Sequence, residues 1–370
     1  MSEETLVLRE SYARRVVLAL ALSFRAQWYF FVPALLYLGT NWLMLRNVPN
    51  HGVAPTIAVL MDLLTFSLPV GLIVAMVLRM AQYALIEKPK SPVHALWAEI
   101  RELAVHPSRV INAVPVLLAM VLFNKAMVEL KPAIPQIKPF AWDETFMHLD
   151  RALHFGVDPW VLLQPLMGYD WITWFVNMAY NFWFVVLIGA WFWFGFRKEA
   201  SQLRSQFFLA YMLIWWVGGG LLAVYFSSAG PVYYGGTGHS PDPFAPLMSY
   251  LHDVDSRLPI WCLKTQKLLW DGYTGKVAAL GISAFPSMHN GSAVLFAMAT
   301  SRVSRPVGIF FWCYAAVILL GSVHLGWHYA LDGYAGIIIG LLGWYAAGIV
   351  ARWVHRGRMI QRYNEELAAL

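Results

Sequence analysis

Cysteine is nearly absent: Cys262 and Cys313 are the only two in 370 residues, and no Cys-x-x-Cys or mixed Cys/His spacing exists. Cys313 lies inside an apolar run, so neither a disulfide framework nor a thiolate metal site is expected. Charge is scarce as well. Asp, Glu, Lys and Arg make up 13% of the chain, against roughly 25% in a soluble domain, which argues against a water-soluble fold. A Gly-x4-Gly-Lys-Ser/Thr loop is missing, and with it the usual signature of a nucleotide-driven machine. The stretch from Met1 to Arg25 is charged and lacks a small-residue cleavage site behind a short apolar core. No cleaved signal peptide is therefore expected.

Apolar length is what the chain has in quantity. Hydrophobic residues are 59% of the total and mean hydropathy is +0.54. The 18 Trp, 17 Tyr and 22 Phe suit a bilayer interface. A spanning helix needs about 20 apolar residues, and eight such stretches are read: 27–45, 56–84, 109–129, 171–195, 206–227, 287–303, 307–324 and 332–354. The fold class expected is all-α integral membrane with about eight transmembrane helices. Long connections cover 85–108, 130–170 and 228–286. The second contains an amphipathic stretch from Trp142 to Leu153. The third is rich in Gly, Pro, Tyr and Asp and reads as an ordered lid or substrate-binding loop. Gly336 and Gly340 form a small-xxx-small pair suited to close helix contact.

The net charge of +6 does not call for nucleic acid, because Lys and Arg cluster beside apolar segments. Placing the N-terminus inside puts twice as many basic residues on the inner side as on the outer, so both termini are expected to be cytoplasmic. The same topology brings Ala284-Phe285-Pro286-Ser287-Met288-His289 and His328-Tyr329-Ala330-Leu331-Asp332 to the outer face.

Those two stretches carry chemistry. Read as one helix, His328 and Asp332 share a face at four-residue spacing. A carboxylate on one ring nitrogen leaves the other free to attack phosphorus. His289 would then serve as general acid towards the leaving oxygen and as base towards the incoming one. Ser287 and the N–H groups opening the sixth span are candidates for phosphate oxygens. A metal held by His324, His328 and Asp332 would have to bridge about 12 Å of helix, so no metal is expected. His324 reads as an interfacial histidine, and Asp62 as a partner of Asn41 or Arg79. Tyr180 and Asn181 read as packing or hydrogen-bonding residues, and Trp191 to Phe196 as an interface belt.

These motifs resemble the type 2 phosphatidic acid phosphatase superfamily, whose second and third signatures are Pro-Ser-x-His and Ser-Arg-x5-His-x3-Asp. Pro286, Ser287, His289, His328 and Asp332 match. The Ser-Arg pair does not: it falls on Gly321-Ser322, so the phosphate-binding arginine is missing. The first signature, Lys-x6-Arg-Pro, is replaced in its expected place by Gly230-Pro231-Val232-Tyr233-Tyr234. Lys131-x6-Lys138-Pro139 has the spacing of that signature but precedes a different span. The departures resemble the inositol phosphorylceramide synthase-like branch, with Trp142-Asp143, Leu149-Asp150-Arg151 and Phe155-Gly156-Val157-Asp158-Pro159 similar to the segment that enters its core.

The resemblance implies a six-helix catalytic core and no cofactor. It also implies catalytic roles for His289, His328 and Asp332. Pro231, Tyr233, Tyr234 and Ser287 are candidate substrate contacts, with Lys264 and Lys267 as outer-face cations beside the further candidates Arg257, Lys276 and Lys138. The expected division is 1–107 accessory, 108–354 core and 355–370 cytoplasmic tail. The expected function is phosphotransfer from a lipid phosphate or phospholipid head group at the outer leaflet. Water or a polar alcohol would be the acceptor. A lipid phosphate phosphatase, and an inactive transporter or scaffold on the same fold, are the alternatives. A bacterial inner membrane, with the site on the periplasmic side, is the expected location.

Overall fold

In lipid every backbone polar group needs an internal partner, so long apolar runs must become helices. A computed structural model of the chain, which describes residues 3–49, 61, 65, 68–105 and 107–370, has no strand among them. The helices in chain order are α1 (Glu3–Ala26), α2 (Phe31–Leu45), α3 (Leu68–Gln82), α4 (Pro92–Val105), α5 (Ser108–Ile137), α6 (Asp143–Leu153), α7 (Pro159–Met167) and α8 (Asp170–Gly195). After these come α9 (Gln202–Trp216), α10 (Ala245–Asp255), α11 (Trp261–Tyr273), α12 (Met288–Ser301), α13 (Arg305–His324), α14 (Ala330–His355) and α15 (Arg358–Ala368). A π-helical turn over Val217–Leu222 carries α9 on to Tyr225.

Six segments among the described residues are long and apolar enough to cross a membrane: Trp28–Leu45, Ser108–Ile137, Asp170–Gly195, Gln202–Tyr225, Arg305–His324 and Ala330–His355. The protein is an all-α integral membrane protein. The second expected span falls partly outside the described residues, Asp62 with it. Arg79, on α3, is paired with Glu87 and Glu99.

The stretch expected as the sixth span is a 14-residue helix, α12, too short to cross alone. It is wrapped by protein, against α9, α13 and α14, and Ala293, Leu295, Ala297 and Ala299 are fully buried. Close approach to α14 depends on glycine. A Cβ on Gly336 would sit 2.2 Å from the Ser287 carbonyl oxygen, and one on Gly340 would sit 2.7 Å from that of Gly291. The small-residue pair is thus a backbone-to-backbone contact that seats the start of α12.

The long connection before α12 is a packed cap. Its helices α10 and α11 bury Leu247, Leu251, Val254 and Cys262 completely. The cap is tied to the turn after α13, through Gln266 Nε2 to the Leu325 carbonyl (2.9 Å) and Val232 N to the Gly326 carbonyl (3.0 Å). At the opposite end of the bundle α15 folds back on α1. There a fully buried Arg204 donates to Gln27 Oε1 (2.8 Å) and the Asn112 carbonyl (2.7 Å), and Tyr363 donates to Asn112 Oδ1 (3.3 Å).

The aromatic segment of α8 corrects the interface-belt expectation in part. Trp191 and Phe194 turn inward, packing on Tyr211 (5.2 Å) and Phe207 (4.3 Å), and Trp193 stays exposed. A helix side that faces α9 must be apolar, and aromatic rings serve there as well as at an interface.

Candidate active site

Asp332 is the third residue of α14, so its carboxylate can reach back over the helix start. Its Oδ2 accepts from the Tyr329 N–H at 3.0 Å and faces His328 Nδ1 at 3.3 Å. His328 therefore precedes the helix rather than lying on it. The pairing expected from a shared helical face is made across the helix cap. Burial pushes the His328 imidazole down to about 3, which keeps it neutral. Its backbone is fixed too: the Ser322 carbonyl accepts from Trp327 N (3.0 Å) and His328 N (3.1 Å). Ser322, where the superfamily signature has arginine, is thus fully buried and holds the histidine turn.

The Pro-Ser-x-His loop docks on the same helix start, with Ser287 N donating to the Asp332 carbonyl at 2.9 Å. Asn290 Nδ2 donates to Ser287 Oγ at 3.0 Å, and the Ser287 hydroxyl does not cap α12. His289 lies in an aromatic clamp. Tyr180 stacks on it at 4.6 Å and 15°, Trp183 leans on it at 4.2 Å, and Phe184 meets it edge-on at 5.7 Å. Trp327, next to His328, continues the stack on Tyr180 at 6.4 Å and 10°. One face of α8 thereby spaces the two histidine loops. His289 Nε2 and Asp332 Oδ1 are buried without a hydrogen-bond partner, so one imidazole nitrogen and a second carboxylate oxygen remain uncommitted.

Two carboxylates on α6 hold this arrangement and were not singled out by sequence reasoning beyond their place in a similar segment. Asp143 Oδ1 accepts from Gly230 N (2.8 Å) and Tyr329 Oη (2.9 Å), and its Oδ2 accepts from Ala229 N (2.8 Å). Asp150 accepts from Ala330 N (2.7 Å) and Leu331 N (2.8 Å), the opening residues of α14. Burial pushes the Asp150 carboxyl up to about 6 although both N–H groups pull the other way. Arg151 and Asp158 form a two-pronged pair at 2.8 and 2.9 Å that fixes the turn into α7.

The remaining candidates are distributed around this centre. Pro231 and Tyr233 lie in a 3-10 turn under the cap, with Tyr233 Oη donating to the Gln266 carbonyl (2.8 Å). Tyr234 stacks on His239 at 4.6 Å. Lys264 and Lys267 are on the exposed face of α11, and Lys267 and Lys276 both pair with Asp271. Arg257 pairs with Asp170 and Asp253. Lys138 donates to the Tyr225 carbonyl (2.6 Å) and sits over its ring. His324 is fully buried at the end of α13, bonded through Nε2 to Thr173 Oγ1 at 2.9 Å, and Thr173 continues to Tyr250. Asn181 bonds within α8 to the Asn177 carbonyl (2.8 Å).

The arrangement offers an oriented neutral imidazole, a second imidazole beside it and a helix N-terminus at one place, the elements of metal-free transfer to and from a nucleophilic nitrogen. No curated protein and no solved structure matches the chain. The model described as the PAP2 superfamily matches residues 144–346, from α6 to α14, a segment that holds both histidines and Asp332 and makes up more than half of the sequence. By that match the chain belongs to the PAP2 superfamily.

Proposed function

We propose that the protein is a metal-independent phosphotransferase acting on lipid-linked phosphate at the outer leaflet through a phosphohistidine on His328. Membership of the superfamily carries phosphatase or phosphotransferase chemistry on lipid phosphates in general. The observation that carries the finer reading is the Asp332–His328 pair at the start of α14, with His289 in the first turn of α12 and both histidine segments stacked on Tyr180. The ring nitrogen of His328 turned away from Asp332 attacks phosphorus. An N–P bond forms as the P–O bond to the leaving group breaks, and that oxygen takes a proton from His289. Burial keeps His289 neutral at rest, and it gains its proton with the incoming phosphate, whose negative charge favours the imidazolium. Neutral His289 then accepts the proton of an incoming water or alcohol, whose oxygen attacks phosphorus and releases His328.

The segments around Gly230–Tyr234, Phe285 and Tyr329 favour the inositol phosphorylceramide synthase-like branch, and hence an alcohol acceptor over water. Basic-residue bias favours both termini inside and the histidines outside, and a bacterial inner membrane is the location proposed. The division proposed is an accessory region 1–107, a core 108–354 and a tail 355–370.

The test is incubation of the purified protein with a panel of lipid phosphates, with and without inositol or glycerol, separating free phosphate from new phospholipid. His328→Ala and His289→Ala are expected to abolish turnover while retaining the wild-type melting temperature within a few degrees. Full activity in either variant removes this mechanism.

A further inference from the structure

A phosphate dianion in a partly apolar site needs a cation, because an unpaired buried charge is costly. The superfamily arginine is absent here, its position taken by Ser322. Most of the basic residues on and beside α5, α6 and α11 are already committed, and Lys264 is on the exposed face of α11. Lys125 pairs with Glu129, Arg151 with Asp158, Arg257 with Asp170 and Asp253, and Lys267 and Lys276 with Asp271. Lys138 is held by the Tyr225 carbonyl and two aromatic rings.

Lys131 is different. It lies two turns before the end of α5, is half-buried, and has neither a hydrogen bond nor an ion pair among the described residues. The loop that leads into Ser287 rests on it. Gly281, at φ +90°, approaches so closely that a Cβ there would meet the Lys131 carbonyl carbon at 2.5 Å and its oxygen at 2.6 Å. From Gly281 the chain runs through buried Ile282 and Ala284 to Ser287 and His289. Burial above all, and the Lys131 charge after it, lowers the proton affinity of both the His289 and His328 imidazoles. His289 Nε2 and Asp332 Oδ1, also buried and unpartnered, belong to the same centre.

We propose that Lys131 is the phosphate-binding cation of this site, supplied by α5 from outside the segment that matches the superfamily. The assignment rests on the phosphotransfer reading above. It gives a substrate preference as well: a single ammonium on a flexible stem neutralises one phosphoryl group as a point charge, suiting a phosphomonoester or phosphodiester better than a pyrophosphate.

The experiment uses the full chain in lipid nanodiscs, as wild type, Lys131→Met and Lys131→Arg. Turnover of phosphatidic acid is measured together with the melting temperature at increasing orthovanadate. Lys131→Met is expected to raise KM and the vanadate half-saturation by about tenfold or more, the loss of a charge-assisted hydrogen bond. Lys131→Arg is expected to recover most of both. A merely structural lysine would lower the melting temperature without vanadate and leave half-saturation unchanged, which overturns the assignment. Should Lys131→Met not fold, acetylation of wild-type amines read by peptide mass spectrometry takes its place: vanadate protection of Lys131 supports the assignment, and equal labelling with and without vanadate overturns it. A wild type that turns over lipid phosphate beside an unaltered Lys131→Met removes the cation and keeps the mechanism. A wild type inert to every lipid phosphate and to vanadate removes the mechanism itself.

Discussion

Asp332 has one carboxylate oxygen engaged by His328 and Tyr329 and one without a partner. Asp332→Asn keeps the shape but loses the charge that stabilises an imidazolium. Turnover is expected to fall by ~10²–10⁴-fold with little change in KM, measured on phosphatidic acid. His328 also marks the pH response of stability. Its folded value lies below the ordinary histidine value of 6.5, so between about 3 and 6.5 the unfolded chain binds the extra proton and stability falls as pH falls. The melting temperature of His328→Gln should therefore gain on the wild type as pH drops from 6.5; a constant difference would contradict the burial argument. At this scale the histidines and Asp332 were legible because spacing and apolar flanks are local. Asp143 and Asp150 were not, since their partners lie far along the chain and a carboxylate that binds distant backbone N–H groups leaves no periodic trace. Asp143→Ala strands two buried N–H groups and the Tyr329 hydroxyl. It is expected to cost about 2–4 kcal/mol, measured by denaturation in detergent, and to lower activity along with stability.

Among the elements, apolar length made the spans readable, and Gly336/Gly340 were readable as a close contact because only small residues allow backbones to touch. Gly336→Ala pushes a methyl group against the Ser287 carbonyl, where no flexible side chain can yield. It is expected to reduce turnover at least about tenfold by displacing the Pro-Ser-x-His loop, more than the same change at the open Gly39. Comparable turnover in the two variants would argue against a tight seat. Helices α10 and α11 were hidden inside a stretch whose Gly, Pro and Tyr content reads as loop, because short amphipathic helices between turns lack the long apolar signal. The π turn in α9 was equally silent. Three successive glycines, Gly218 to Gly220, permit it, and Met288 packs where a Cβ on Gly218 would stand, 2.6 Å from its methyl carbon.

For the whole molecule, the bundle is clasped at the end opposite the histidines by Arg204, Gln27, Asn112 and Tyr363. A charge buried among carbonyl and amide oxygens depends on all of them. Asn112→Ala is expected to cost about 1–3 kcal/mol and to raise hydrogen exchange in residues 358–368, while the kcat of surviving protein stays near wild type. Unchanged exchange there would show that α15 docks by its apolar face alone. None of this clasp was foreseeable, since α1 and α15 come from the two ends of the sequence and read separately as an amphipathic segment and a tail. The cap has a consequence of another kind. It is packed helix tied to the histidine turn through Gln266 and Val232, so any space beside a His328 phosphorylated as proposed would have packed walls that set its volume. Under the proposed chemistry that volume sets how many water molecules compete with an alcohol delivered from the bilayer. On that proposal the roof over the site would act as a partitioning device, with the ratio of transfer to hydrolysis set by its packing more than by the histidines beneath it.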